Sequence, residues 1–181
     1  YGNPIVQTPN IDRLARKGVT FDRAYCQYPV CGPSRSSFLT GLRPDTTQVL
    51  DNVVRLEDKV KNHPYLPQLY RDNGYYTVGM GKIFHGKKQN VSEEQWNEYY
   101  DFSTTELGKK GEGRNMTNGS VKWCAWLAAE GRDEDQSDGQ TANKAIEVLK
   151  VKRDKPLFLT VGFSKPHDPF HAPKKYFDMY S

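Results

Sequence analysis

The chain has 181 residues, enough for one domain of ordinary size or a piece of a larger one. Apolar residues make up 36% and aromatics 12%, and 11 Tyr, 8 Phe and 3 Trp can bury a core, which excludes a disordered polyampholyte. Lys plus Arg number 26 against 22 Asp plus Glu; a net charge of +4, with no basic run interleaved with aromatics, does not point to nucleic acid, and no apolar run is long enough to span a membrane.

Thr8-Pro9 followed by Ile11, Leu14 and Ala15 predicts a helix, with Thr8 as N-cap, Pro9 in the first helical position and Gly18 as the stop. Val19 to Tyr25 alternates apolar and polar residues and predicts a strand. A second helix runs from Pro33 to about Gly41, with Phe38 and Leu39 inward. Leu66, Leu69 and Tyr70 mark a third, broken at Asn73-Gly74, and Tyr75 to Met80 is rich in strand formers. Asp138 to Lys152 places Ala142, Ala145, Ile146 and Leu149 at helical spacing, and the apolar run from Pro156 to Phe163 suits a strand buried on both faces. Helix, strand, helix, strand predicts an α/β fold with a largely parallel sheet. The polar, Gly-rich stretch 86–139 reads as an insertion or surface excursion.

Of the three cysteines, Cys26 and Cys124 can pair and leave Cys31 alone; the sequence leaves that open. The absence of any Cys-x-x-Cys argues against structural zinc. Cys31 opens Cys31-Gly32-Pro33-Ser34-Arg35-Ser36-Ser37-Phe38-Leu39-Thr40-Gly41. A nucleophile position there stands beside a helix N-terminus, which favours anions, and Arg35, four residues on, is a forked donor suited to tetrahedral oxyanions. A buried cysteine beside a capped helix is the plainer reading of the same residues.

The Cys-x-Pro-Ser-Arg core, with the Leu-Thr-Gly that follows, resembles the signature of type I sulfatases, members of the alkaline-phosphatase superfamily. Pro9-Asn10-Ile11-Asp12-Arg13-Leu14-Ala15, Phe21-Asp22-Arg23-Ala24-Tyr25, Leu66-Pro67-Gln68 and Asn73-Gly74-Tyr75 resemble that family in order and spacing. Arg43-Pro44-Asp45-Thr46-Thr47, Gly81-Lys82-Ile83-Phe84-His85 and Lys165-Pro166-His167-Asp168-Pro169-Phe170 are most similar to its iduronate-2-sulfatase group. The resemblance covers most of the chain and is weakest between Gly86 and Gly139.

The resemblance implies an alkaline-phosphatase-like α/β fold and a sulfuric ester hydrolase acting on a sulfated sugar or glycan. Cys31 would be oxidised to formylglycine by a separate formylglycine-generating enzyme. One hydroxyl of its hydrate would attack sulfur, and the other would expel the sulfate and regenerate the aldehyde. Arg35 would hold the hydrate and offset its charge, Lys82 a sulfate oxygen, and His85 the diol. His167 would protonate the leaving alcohol, and Lys165 would add a second positive contact. His63 and His171 match nothing in the pattern, and Asp168 fills a variable position.

The family also holds a divalent ion, usually calcium, with oxygen ligands. Its two adjacent Asp are absent, since no Asp-Asp pair occurs in the chain. Asp51-Asn52 and Asp72-Asn73 have the letters of the family's later metal pair in segments unlike it. Cys31 is then the only candidate metal ligand in the chain, with most of the ion's ligands expected outside it, and the chain reads as a partial N-terminal sulfatase domain spanning 1–181, inactive in isolation. Two alternatives stand: a phosphate or phosphonate ester hydrolase of the same superfamily, and a non-catalytic binder of sulfated glycans. Asn90-Val91-Ser92, Asn115-Met116-Thr117 and Asn118-Gly119-Ser120 fit the glycosylation sequon. Family analogy places the protein in an exported or lysosomal compartment.

Overall fold

The computed structural model describes residues 3–86 and 94–180. The sequon at Asn90 lies outside these residues. Helix α1 covers Pro9–Lys17, and the Gly18 N–H returns to the Leu14 carbonyl at 3.0 Å. Thr8 stands at the N-cap without capping the backbone: its hydroxyl donates to Asp12 Oδ1 at 2.8 Å instead. No residue of α1 is buried.

The strand expected over Val19–Tyr25 does not form; that stretch is irregular and exposed. Alternation makes a segment amphipathic, but a strand also needs a neighbour to take its backbone N–H and C=O groups. No described strand pairs with it.

Helix α2 spans Cys31–Thr40, starting two residues before the expected Pro33, and stops at Gly41 with φ 72°. Leu39 is buried at 2% exposure, whereas Phe38, expected inward, is 55% exposed. Three short helices follow: α3 (Pro44–Thr47), α4 (Leu56–Lys59) and α5 (Leu66–Asp72). They wrap Leu39, Val49, Leu56, Ile83, Phe84 and Trp96 into the first core cluster.

Strands β1 (Tyr76–Gly81), β2 (Glu98–Tyr100) and β5 (Leu157–Gly162) form a parallel sheet in the order β2-β1-β5. Its central strand is buried on both faces. Val78 and Met80 pack with Val148 of α6 (Ser137–Lys150). On the opposite face Gly79 makes room for Trp96, whose ring would lie 2.9 Å from an added Cβ. Strand β5 was expected to be buried on both sides but is half-buried throughout, because it is an edge strand.

In α6 the buried positions are Thr141 and Val148, with Ala145 packed beside them, while Ile146 and Leu149 are exposed. The expected stripe and the observed one both have helical spacing and share only Ala145. The helix is rotated by about one residue from the reading.

Within 86–139, β2 belongs to the parallel sheet. Strands β3 (Gly111–Asn115) and β4 (Ala125–Ala129) pair antiparallel, and β6 (Phe170–Pro173) adds in parallel to β4. A short helix, α7 (Lys174–Phe177), follows β6. In the β3–β4 connection the Asn115 amide donates to the Val121 carbonyl at 2.9 Å, whereas Asn118 is exposed. All three cysteines are free thiols, so Cys26 and Cys124 are not paired. Among the described residues no helix is long and apolar enough to cross a membrane.

Candidate active site

The parallel sheet brings two strand ends together. Gly81 and Gly162 are register partners, and the Lys82 N–H donates to the Gly162 carbonyl at 2.7 Å. A Cβ at Gly81 would lie 2.1 Å from the Gly162 carbonyl oxygen, and one at Gly162 would lie 2.1 Å from the Lys82 carbonyl oxygen. Glycine is required at both places, and Gly81 also has φ 70°. Beyond this point the chains diverge from the carboxyl ends of parallel strands, where α/β proteins place their sites. Lys82 and His85 follow β1; Lys165 and His167 follow β5.

Ile83 and Phe84, each 2% exposed, anchor the backbone between Lys82 and His85 in the first core cluster. Arg35 joins this segment to α2. Its Nη1 donates to the carbonyls of Lys82 at 2.6 Å and Ile83 at 2.7 Å, which leaves the Nε and Nη2 donors for other acceptors. Burial pulls the Arg35 pKa down and the nearby Cys31 opposes this; the guanidinium stays charged at any working pH.

The N-terminus of α2 is capped from a distance. Val30, the N-cap residue, has no side-chain acceptor, and the Gly32 N–H is met by Asn52 Oδ1 at 2.8 Å. The same oxygen accepts from Cys31 Sγ at 3.3 Å. Gly32 is obligatory here, since a Cβ would lie 2.8 Å from the Asp51 carbonyl oxygen. Asp51 spends Oδ1 on the N–H groups of Val53 and Val54, both at 2.8 Å, and those bonds hold its carboxyl below the usual range. Asp51-Asn52 is therefore a turn and a cap.

His85 lies among positive charges. Burial first, then Lys82, Arg35 and His167, push its pKa below the ordinary histidine value, so the imidazole is neutral near pH 7. Its Nδ1 is buried and has no partner among the described residues. An orphaned buried nitrogen costs about 1–3 kcal/mol unless a ligand meets it.

His167 is half exposed, and its Nδ1 stands 2.9 Å from Asp168 Oδ1 and 2.6 Å from the Asp168 carbonyl oxygen. These acceptors favour the tautomer protonated at Nδ1. Lys165 Nζ donates to the carbonyls of His167 at 3.2 Å and Pro169 at 2.5 Å. Burial lowers its pKa, as does Lys82, while Asp138 and Asp168 raise it. His63 contacts the Thr40 carbonyl oxygen at 2.8 Å, a structural role.

Cys31, Arg35, Lys82, His85 and His167 thus gather from three segments into one cationic site, whose field suits a tetrahedral anion. Sequence reasoning missed Asn52 and passed over Asp168. An acceptor placed 20 residues from the N–H it caps has no local signature, and Asp168 was readable only as a neighbour of His167. The residues present do not by themselves make the expected calcium site, most of whose ligands the resemblance leaves outside this chain. No group of three or more His, Cys, Asp or Glu that could hold a metal occurs among the described residues, and the hydrogen-bond partner of Cys31 is the neutral Asn52.

A parallel α/β sheet with cationic side chains at its strand ends and Cys31 at the start of a neighbouring helix is an architecture of the alkaline-phosphatase-like kind. Two solved structures share the fold. The phosphonate monoester hydrolase of Agrobacterium radiobacter superposes with a TM-score of 0.72 at 19% identity over 99% of this chain and 40% of that one. A protein solved with its substrate, D-glucosamine-2-N,6-O-disulfate, gives 0.63 at 22% identity over 92% and 31%.

The chain belongs to the Sulfatase family, whose model matches residues 1–181. It is 36% identical over 195 residues to a sulfatase of Formosa agariphila, covering 97% of this chain and 37% of that protein. It is also 36% identical over 190 residues to the iduronate 2-sulfatase of Mus musculus, covering 99% and 34%. The chain therefore spans about a third of the length of these curated relatives.

Proposed function

We propose that the protein carrying this chain hydrolyses the O-sulfate ester of a sulfated sugar, with Cys31 converted to formylglycine by a formylglycine-generating enzyme. The observation that carries the reading is the convergence of Cys31, Arg35, Lys82, His85 and His167 at the ends of β1 and β5, inside a family match that covers every residue. Similarity to iduronate 2-sulfatase, and a protein of the same fold that holds a disulfated glucosamine, favour a sugar sulfate.

Formylglycine in its hydrated form supplies an oxygen nucleophile for sulfur and a second hydroxyl that releases the sulfate. The chain's own residues do the rest. Asn52 Oδ1 accepts a hydrogen bond from the S–H or O–H at position 31 and orients it. Arg35 offsets negative charge there through the donors that Lys82 and Ile83 leave unused. Lys82 holds a sulfate oxygen, and neutral His85 offers its orphaned nitrogen to the site. His167, its Nδ1–H held by Asp168, would give the departing alcohol a proton from Nε2 of the doubly protonated ring and be left as the neutral Nδ1–H tautomer. Lys165 braces its own loop and adds positive field. Calcium would require carboxylates that the described residues do not bring together. Family analogy points to an exported or lysosomal setting, and residues 1–181 read as one part of the catalytic domain, with a polar insertion at about 86–139.

The test is mass spectrometry of the Cys31 peptide after coexpression with the modifying enzyme. Conversion of thiol to aldehyde exchanges sulfur and two hydrogens for one oxygen and removes roughly 18 mass units, unlike the sulfur oxidations, which add mass. Conversion together with release of sulfate from a sugar sulfate supports the reading. An unmodified Cys31 with sulfated-glycan binding and no turnover refutes it in favour of a binding protein. A second reading, phosphonate or phosphate ester hydrolysis, is favoured by the TM-score of 0.72 to a phosphonate monoester hydrolase. Sulfate and phosphonate esters assayed side by side decide between them.

A further inference from the structure

We propose that Asp138 is a positioning residue for this site, clamping the turn that carries His167. The inference rests on the reading of His167 as the proton donor.

Strand β5 ends at Gly162, where the parallel ladder stops supplying acceptors. The next backbone N–H groups need partners of their own. Asp138, in the first turn of α6, supplies both: its Oδ1 accepts from the Ser164 N–H at 2.9 Å and its Oδ2 from the Lys165 N–H at 2.8 Å. The Ser164 carbonyl then accepts the His167 N–H at 3.0 Å. A continuous path of hydrogen bonds therefore runs from the helix carboxylate to the backbone of His167.

A first-turn Asp ordinarily serves the free N–H groups and positive dipole of its own helix. Here both oxygens are spent on another segment. The carboxylate is itself fixed, because α6 begins in close contact with the preceding 3-10 turn, Asp133–Asp135. A Cβ at Gly139 would lie 1.8 Å from the Asp133 carbonyl oxygen, so helix and turn cannot separate without loss of that fit. Asp138 and Ser164 also line, with Lys82, Phe102 and Thr141, a cleft of about 200 Å³ beside the site. The ammonium of Lys165 is turned onto the carbonyls of His167 and Pro169, so what the clamp sets is the placement of the His167 ring.

Asp138→Ala removes both acceptors. Asp138→Asn keeps one oxygen and turns an amide N–H₂ toward the other donor, so it ranks between wild type and Ala. Misplacement by about 1 Å can cost about 10²-fold in rate, which sets the expected loss of kcat for Asp138→Ala on an alkyl sulfate, with KM little changed. On nitrophenyl sulfate, whose leaving group hardly needs a proton, the loss is much smaller. In a His167→Ala background Asp138→Ala adds no further loss on the alkyl sulfate, since the ring it positions is gone. Losses that multiply in the double variant, or that fall equally on both substrates, overturn the proposal.

Amide hydrogen exchange at Ser164, Lys165 and His167 tests the clamp without turnover. Protection in the full-length protein falls from wild type to Asp138→Asn to Asp138→Ala while the β1–β5 ladder stays protected. Unchanged protection in Asp138→Ala overturns the proposal. If wild type hydrolyses no sulfate ester, the functional reading falls separately, and exchange alone judges the clamp.

Discussion

Gly81→Ala in the full-length protein separates backbone strain from site geometry, with Gly74→Ala as its partner. Both glycines have positive φ, 70° at Gly81 and 86° at Gly74. An alanine at either position costs about 1–2 kcal/mol from the left-handed backbone alone. The surroundings differ. Nothing lies within 4 Å of a Cβ at Gly74, while one at Gly81 would meet the Gly162 carbonyl oxygen at 2.1 Å. Real Cβ contacts essentially never fall below 3.0 Å, so the strand ends must part by about an ångström. That displacement moves Lys82 and the loop to His85 away from the turn bearing His167. At this scale of misplacement about 10²-fold in kcat/KM is lost. Urea unfolding and sulfate-ester hydrolysis, measured on both variants, should show a similar strain cost for each, an added stability loss for Gly81→Ala, and a large activity loss for Gly81→Ala alone. Equal kcat/KM for the two variants would refute the claim that the Gly81–Gly162 approach sets the site.

His167→Ala should lower kcat on an alkyl or sugar sulfate by about 10²–10⁴-fold and on nitrophenyl sulfate far less; equal losses would make His167 a sulfate ligand and not a proton donor. Asn52→Ala, which uncaps α2 at Gly32, should cost about 1 kcal/mol in urea unfolding, and Asn52→Asp, which keeps the acceptor, clearly less. His85 is held below the ordinary histidine value by burial and by Lys82, Arg35 and His167, so the unfolded chain takes up a proton first as pH falls. Unfolding free energy of the wild type should therefore drop below about pH 6.5 more steeply than that of His85→Gln, and parallel curves would remove the burial argument. Cys31→Ser in a host that converts only cysteine should abolish multiple turnovers, checked by sulfate release with the serine verified by mass spectrometry, because a lone hydroxyl has no partner to expel the bound sulfate.

By itself the sequence determined the local elements and the chemical vocabulary. Gly41 ends α2 because only a residue without Cβ takes φ 72° cheaply, and Tyr75–Met80 and Pro156–Phe163 carry enough strand formers to become β1 and β5. The Cys31–Arg35 spacing and the segments around Lys82 and His167 were legible because each motif is contiguous. Tertiary structure decided everything that depends on a partner far along the chain. Val19–Tyr25 alternates like a strand and is not one, because a ladder needs a neighbour that no alternation supplies. Helix α6 chose Thr141, Ala145 and Val148 over an equally periodic stripe because the sheet lies on that side. The capping role of Asn52 and the clamping role of Asp138 were silent in the sequence for the same reason. A carboxylate or amide is a common surface group until folding places a particular N–H within about 3 Å of it, as the packing of α6 beside the end of β5 does for Asp138.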